Sequence, residues 1–195
     1  MTITVRDRSL TLQQFLALPE VEPALEYFNG KVTQKVSPLG EHGRLQSKFT
    51  EMLNGHAEPR RLGMAFTEIR ATFAGASRVP DIAVYRWDRI PRTATGRIAR
   101  YFRTPPDIAV EILSPGQSLP KLADKCRWFV ANGVAIALLV NDRSETITRF
   151  ASDGTEQRLA KDDRIDLDQV LPGFSLTVRA LFDTLQIDPP RRHRA

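Results

Sequence analysis

Apolar residues along this chain keep two different rhythms, and the switches between them predict its elements. Over residues 10–20, "LTLQQFLALPE" places Leu12, Phe15, Leu16 and Leu18 at helical spacing behind Thr11, so a short capped helix is expected to end near Pro19. In "ALEYFNGKVTQKV", Asn29-Gly30 separates two strand-like runs, the strongest short-range signal for a hairpin. Helical period returns from about 40 to 57, where Leu45, Phe49, Met52, Leu53 and His56 form one stripe. Next come "MAFTEIRATF" (64–73), "PDIAVYR" (80–86) and "PPDIAVEILS" (105–114), rich in the β-branched and aromatic residues that suit strands. "LPKLADKCRWFVANG" reads as a helix stopped by Asn132-Gly133, and "VAIALLVN" as the apolar strand after it. The segments "ETITRF", "RIDLDQVLPGFSLTV" and "RALFDTL" predict two or three short strands and a terminal helix.

Helices thus flank a mixed sheet, with antiparallel strands early and a strand-helix-strand unit later: a mixed α/β fold. The length of 195 residues suits one core, so residues 1–187 are expected to form a single domain followed by a basic tail, 188–195. The pentapeptide "PDIAV" occurs at 80–84 and again at 106–110. The sequences around the two copies differ, which argues against a duplicated module and for two similar strands whose acids do different work.

Composition narrows the chemistry. No charged-then-apolar leader and no run of eighteen apolar residues is visible, so a cytoplasmic protein without a membrane span is expected. The lone Cys126 and three histidines argue against a disulfide or a structural zinc site, and leave a hard cation held by oxygen as the metal to expect. The formal charge of +5 is uneven: residues 86–103 carry six arginines against Asp88, and the tail adds Arg191, Arg192 and Arg194. Such basic appendages suit a polyanion such as DNA, with Arg89, Arg92, Arg97 and Arg100 as phosphate contacts; a solvated loop and a loose tail are the alternative.

The acids of the repeat can be placed by strand geometry. Asp107 and Glu111 lie on one face of a strand but roughly 13 Å apart at about 3.3 Å per residue, too far to share an ion. If the two copies pair antiparallel with Arg86 opposite Pro106, Asp81 falls opposite Glu111 across about 5 Å, and the two can share a divalent cation. Glu111 lies amid Val110 and Ile112, where an unpaired charge is costly. Asp107, following a proline at a strand start, is expected to be solvated. Lys125, on the boundary of the next helix's apolar stripe, is the candidate cation to activate water and stabilise developing negative charge; a solvated helix lysine is the alternative.

The ordered set "TLQQFLALPE", "LEYFNGK", "SPLGEH", "VPDIAVYR", "PPDIAVEILSP", "DKCRWFVANGV" and "LLVND" resembles the bacterial Uma-two family, a branch of the PD-(D/E)XK nuclease superfamily, over residues 10–180. The resemblance implies a restriction-endonuclease-like fold, often homodimeric, with magnesium-dependent phosphodiester cleavage. Position by position, it makes Asp81, Glu111 and the Ile112 carbonyl ligands of Mg²⁺ or Mn²⁺. It makes Lys125 the catalytic lysine, since Leu113 stands where the wider superfamily has one, and Glu26 an early acid that binds a second ion or orients water. His42 matches a family histidine and is a candidate substrate contact, with capping or packing as its alternative. The chain departs from the family pattern at Lys31, where a second early acid is usual, at Trp128 for tyrosine, and at "ALLVND" for "YWLVDP".

A metal-dependent DNA endonuclease is therefore the expected function. A non-catalytic nuclease-fold module that binds nucleic acid or a partner protein is the alternative, favoured by Lys31 and the absent Glu-x-Lys spacing. A protein or ester hydrolase finds no Gly-x-Ser-x-Gly, no Cys-His pairing and no P-loop.

Overall fold

The structure, a computed structural model, describes residues 10–187; residues 1–9 and the basic tail lie outside the described residues. Helix α1 (Leu12–Leu16) starts at Thr11, whose hydroxyl accepts from the Gln14 N–H while the Gln14 side chain accepts from the Thr11 N–H. That reciprocal cap satisfies donors the first turn leaves free. Asn29 and Gly30 both have positive φ, 48° and 79°, and turn β1 (Leu25–Phe28) into β2 (Lys31–Gln34). Helix α2 (Gly40–Ala57) follows.

The run at 64–73 is not one strand. It breaks at Glu68, whose φ of 52° leaves the extended region, into β3 (Gly63–Thr67) and β4 (Ala71–Phe73). A second left-handed pair, Ala74-Gly75, then folds β4 back onto β5 (Ala76–Arg78), a strand too short to show a period in the sequence. The remaining elements are β6 (Ile82–Arg86), β7 (Ile108–Ile112), α3 (Leu119–Ala131), β8 (Ile136–Asn141), β9 (Thr146–Ala151), β10 (Glu156–Ala160) and α4 (Val178–Phe182).

Two sheets result rather than one. The larger runs β10-β9-β8-β7-β6-β3 and is antiparallel except for β7 and β8, which are parallel across α3; the smaller runs β2-β1-β5-β4. The segment "RIDLDQVLPGFSLTV" forms no strand beyond an isolated bridge between Arg164 and Thr177. Its Ile165, Leu167, Val170, Leu171 and Phe174 are nonetheless buried, so its apolar pattern records packing rather than a ladder.

Alternation along β6 and β7 decides what each helix meets. Ile82, Val84, Ile108, Val110 and Ile112 share a core with Leu45, Phe49 and Leu53 of α2. Ala109, Ala137 and Leu139 share another with Leu122, Cys126 and Phe129 of α3, which Ala71 and Phe73 of the small sheet join. The pairs Ile82↔Val110, Ala83↔Ala109 and Val84↔Ile108, continued by one residue, set Asp81 opposite Glu111 on the α3 side. This is the register the repeated pentapeptide predicts.

Asp107 departs from expectation. It is fully buried, not solvated: its carboxylate accepts from the Arg86 backbone N–H at 2.8 Å and the Arg86 guanidinium at 2.6 Å, and also pairs with Arg89. The two copies of the pentapeptide therefore do different work, Asp107 clamping the start of the arginine-rich connection at the far end of the strands from Asp81. Removing one partner of a buried ion pair strands the others. Asp107→Ala is expected to lower unfolding free energy by about 3 kcal/mol, measured by denaturant titration.

Candidate active site

Asp81 sits where the two sheets, α2 and the β7 terminus meet, and it is almost fully buried. One carboxylate oxygen, Oδ2, accepts from the Ile112 N–H at 2.6 Å. The other, Oδ1, lies 2.7 Å from Lys35 Nζ and 3.5 Å from His42 Nε2. Burial works against the Asp81 anion, but the hydrogen bond from His42 and the charge of Lys35 outweigh it and hold the carboxyl well below its usual range. The His42 ring is fixed by a 2.9 Å hydrogen bond between Nδ1 and Ser114 Oγ. It neither caps α2 nor faces solvent.

Glu111, across from Asp81, is buried to 3% exposure. Lys125 reaches it from α3, placing Nζ 2.8 Å from Glu111 Oε1 and 2.7 Å from Glu26 Oε1 on β1. The sequence anticipated these three residues, yet the Lys125 amine is enclosed between two acids rather than presented to solvent, its side chain 9% exposed. Glu26 also accepts from the Val79 N–H at 2.7 Å and lies 3.7 Å from Arg78. Burial opposes the Glu26 anion, Lys125 more than compensates, and its carboxyl ends below the ordinary value. Burial likewise opposes the Lys125 ammonium, and Glu111 and Glu26 hold it charged. For Glu111, burial wins: with Asp81 and Glu26 adding repulsion against the attraction of Lys125, its carboxyl is pushed up to about 7.

Four further residues complete the cluster. Lys35, just past β2, bridges Asp81 and Glu68, 2.6 Å from Glu68 Oε2. Gln46 on α2 donates to Glu68 Oε1 at 2.9 Å and to the Asp81 carbonyl at 2.8 Å. Arg78 lies over the Phe28 ring, 4.2 Å from its centroid, and faces Trp128 at 5.4 Å. A signal for Glu68 was available: it is a lone acid inside the apolar run "MAFTEIRATF". Lys35, Gln46 and Arg78 gave none, because ordinary polar residues become site residues only when the first hairpin, α2 and β5 are brought to Asp81 and Glu26.

All of these groups except Gln46 and Glu68 line a cleft of about 740 Å³, with Lys121 and Gln117 among the residues at its wall. Arg89, Arg92, Arg97 and Arg100 are not part of it. Arg89 is committed to Asp107, which corrects the expectation of a free phosphate contact there. Arg92 donates to the Trp87 carbonyl at 2.7 Å, while Arg97 and Arg100 are exposed.

Oxygen donors dominate the cluster, as a hard divalent ion requires. His42, Glu68 and Asp81 can each bring one donor atom within 4.8 Å of the others. Glu111 Oε1 is buried with no aligned hydrogen-bond donor, since Lys125 approaches it off line. A buried carboxylate oxygen left in this state, facing a second carboxylate, is a site that a cation would satisfy. The Asp81–Glu111 pair and its surroundings thus fit a divalent ion.

Comparison with known proteins follows the same lines. A family model, Uma2, described as "Putative restriction endonuclease", matches residues 12–179. A crystal structure of "a putative nuclease belonging to DUF820" from Anabaena variabilis is similar at 35% identity and a TM-score of 0.87, over 91% of this chain and 99% of that one. A DrdV–DNA complex also matches at 16% identity and a TM-score of 0.39, over 74% of this chain and 12% of that one, too distant to bear on fold or function. No curated protein matches. Among the described residues no helix is long and apolar enough to cross a membrane.

The raised Glu111 value has a thermodynamic consequence with a definite sign. Between the ordinary 4.5 and about 7, Glu111 is ionised in the unfolded chain but protonated in the folded one. Folding then binds a proton, so stability must fall as pH rises through that interval. Asp81 and Glu26, shifted downward, act oppositely and only at lower pH, where their stabilisation is lost. In chelator, the wild type is expected to lose up to about 3 kcal/mol between pH 5 and 8 that Glu111→Gln does not lose. Parallel denaturant titrations of the two proteins measure it.

Proposed function

The chain belongs to the Uma2 family, whose model is described as "Putative restriction endonuclease", and from that premise we propose that it is a metal-dependent endonuclease acting on DNA. The observation that carries the reading is the register of β6 on β7, which opposes Asp81 and Glu111 in a buried pocket that also holds Lys125. Asp81, Glu111 and the Ile112 carbonyl hold the ion, Mg²⁺ or Mn²⁺. A strand residue turns its N–H and C=O toward the same neighbour, and the Ile112 N–H meets Asp81, so its carbonyl faces the same side. When bound, the ion supplies charge to polarise the scissile phosphate and to lower the pKa of a bound water.

The residues do the rest. Lys125 stays charged and orients the attacking water beside Glu111. Glu26, tied to Lys125 and the Val79 N–H, is a positioning residue that fixes the lysine's direction rather than a ligand of a second ion. His42, fixed by Ser114, keeps Asp81 ionised. DNA meets the cleft at Lys121, exposed on its wall, with Arg97 and Arg100 as outlying phosphate contacts, giving affinity that is salt-sensitive and largely indifferent to sequence. The family resemblance adds a homodimer, and the cytoplasm is the location proposed for it.

One observation favours a non-catalytic module instead. The Lys35 ammonium sits 2.7 Å from Asp81 and 2.6 Å from Glu68, and a lysine held there permanently would replace the ion and leave DNA binding without cleavage.

Cleavage of supercoiled, linear and single-stranded DNA with Mg²⁺ or Mn²⁺ separates the readings. Asp81→Ala and Glu111→Ala are expected to abolish cleavage, and Lys125→Ala to reduce it about 10²-fold. Lys125→Ala also leaves two buried acids without their cation, so rates must be compared at a temperature where circular dichroism finds each variant folded. A wild type that binds DNA and cleaves none of these substrates favours the non-catalytic module.

A further inference from the structure

Lys35 stands apart from the other cations of the cluster. Both lysines line the cleft, but Lys125 is held between two buried acids, Glu26 and Glu111, whereas Lys35, which follows the last residue of β2, is held by Asp81 and by the exposed Glu68. Its ammonium bonds the same Asp81 oxygen, Oδ1, that faces His42 Nε2, and it also holds Glu68, one of the three residues whose donor atoms converge there. Lys35 thus occupies Oδ1, the one Asp81 oxygen not committed to the Ile112 N–H and the one a cation shared with Glu111 would take.

We infer that Lys35 is an exchangeable internal cation: it neutralises Asp81 and Glu68 in the metal-free protein, and a divalent ion binds only as the lysine swings out into the cleft. The inference rests on the metal-dependent reading above. Charge balance supports exchange over addition. With Glu111 ionised, as metal ligation requires, Glu26, Glu68, Asp81 and Glu111 face Lys35, Lys125 and Arg78, a formal balance of one excess negative charge. Adding a divalent ion to that set would leave a buried positive excess with two cations on one carboxylate oxygen. Releasing Lys35 first leaves two negative charges, which the ion cancels. Nothing else needs to move, because Asp81 Oδ2 is anchored by the Ile112 N–H and Glu68 Oε1 by Gln46.

Exchange predicts a specific fault in the wild type. Only molecules whose Lys35 has left can bind the ion, so the apparent affinity is reduced by the fraction that is vacated. Lys35→Gln should therefore bind Mn²⁺ about ten-fold or more tightly by calorimetry, although it is less stable without metal because Asp81 and Glu68 lose their partner. Lys31→Gln removes the same charge from an exposed strand position outside the cleft and should leave Mn²⁺ affinity unchanged. In the wild type, saturating Mg²⁺ should expose the Lys35 amine to acetylation, measured by mass spectrometry, relative to the same protein in chelator; this holds even if the variant folds poorly.

Equal or weaker Mn²⁺ affinity in Lys35→Gln, or Lys35 acetylation unaltered by Mg²⁺ in a protein that binds it, would overturn the exchange and leave the metal site standing. Absence of Mn²⁺ binding in both wild type and Lys35→Gln would sink the metal-dependent reading itself.

Discussion

Four carboxylates, Glu26, Glu68, Asp81 and Glu111, are brought together where two sheets and two helices meet, and their mutual repulsion is the constraint the rest of the cleft answers. Two lysines and an arginine are set among them at 2.6 to 3.7 Å. Each cation comes from a different element: Lys35 from the end of the first hairpin, Arg78 from the last residue of β5 inside the small sheet, Lys125 from the crossover helix. The small sheet is thus held against the large one partly by the charges of the site, together with the contact of Phe73 with Trp128 and Phe129. The cost of burying these charges is large if any partner is lost and modest while all are present, so the site is both a chemical centre and a joint of the fold.

The balance is not complete. Asp81 and Glu26 keep their negative charge through hydrogen bonds and lysines, but Glu111 is left with an off-line lysine and a carboxyl pushed up to about 7. Separating the proton affinities of neighbouring acids in this way is how a site prepares groups for different tasks. A divalent ion would relieve Glu111 without disturbing Asp81, whose Oδ2 is already held by the Ile112 backbone.

Much of this was legible in the chain because it depends on local rhythm. The Asn29-Gly30 turn, the period of α2 and α3, and the doubled pentapeptide placed the main elements, and the two-residue period of strands carried Asp81 opposite Glu111. Lys125 was legible because its helix follows directly on the Glu111 strand. What the chain hid depends on contacts between distant segments. Arg86 and Arg89 read as free basic residues until Asp107 is seen buried beneath them. Lys35 read as one more polar residue on a hairpin, and only the docking of that hairpin brings it to Asp81, 46 positions away. Glu68 showed only as a lone acid in an apolar run that reads as one strand, and the left-handed backbone at that residue cannot be seen in composition.

In the proposed reading these acids form one cation site, filled by lysine when no metal is present. Anomalous diffraction from crystals soaked in Mn²⁺ tests it most directly, since manganese is located independently of any assumed ligand. One peak is expected between Asp81 and Glu111, with Lys125 still joining Glu111 to Glu26 and the Lys35 side chain turned into the cleft. A peak elsewhere, or none at saturating Mn²⁺ with Lys35 still on Asp81, would contradict it.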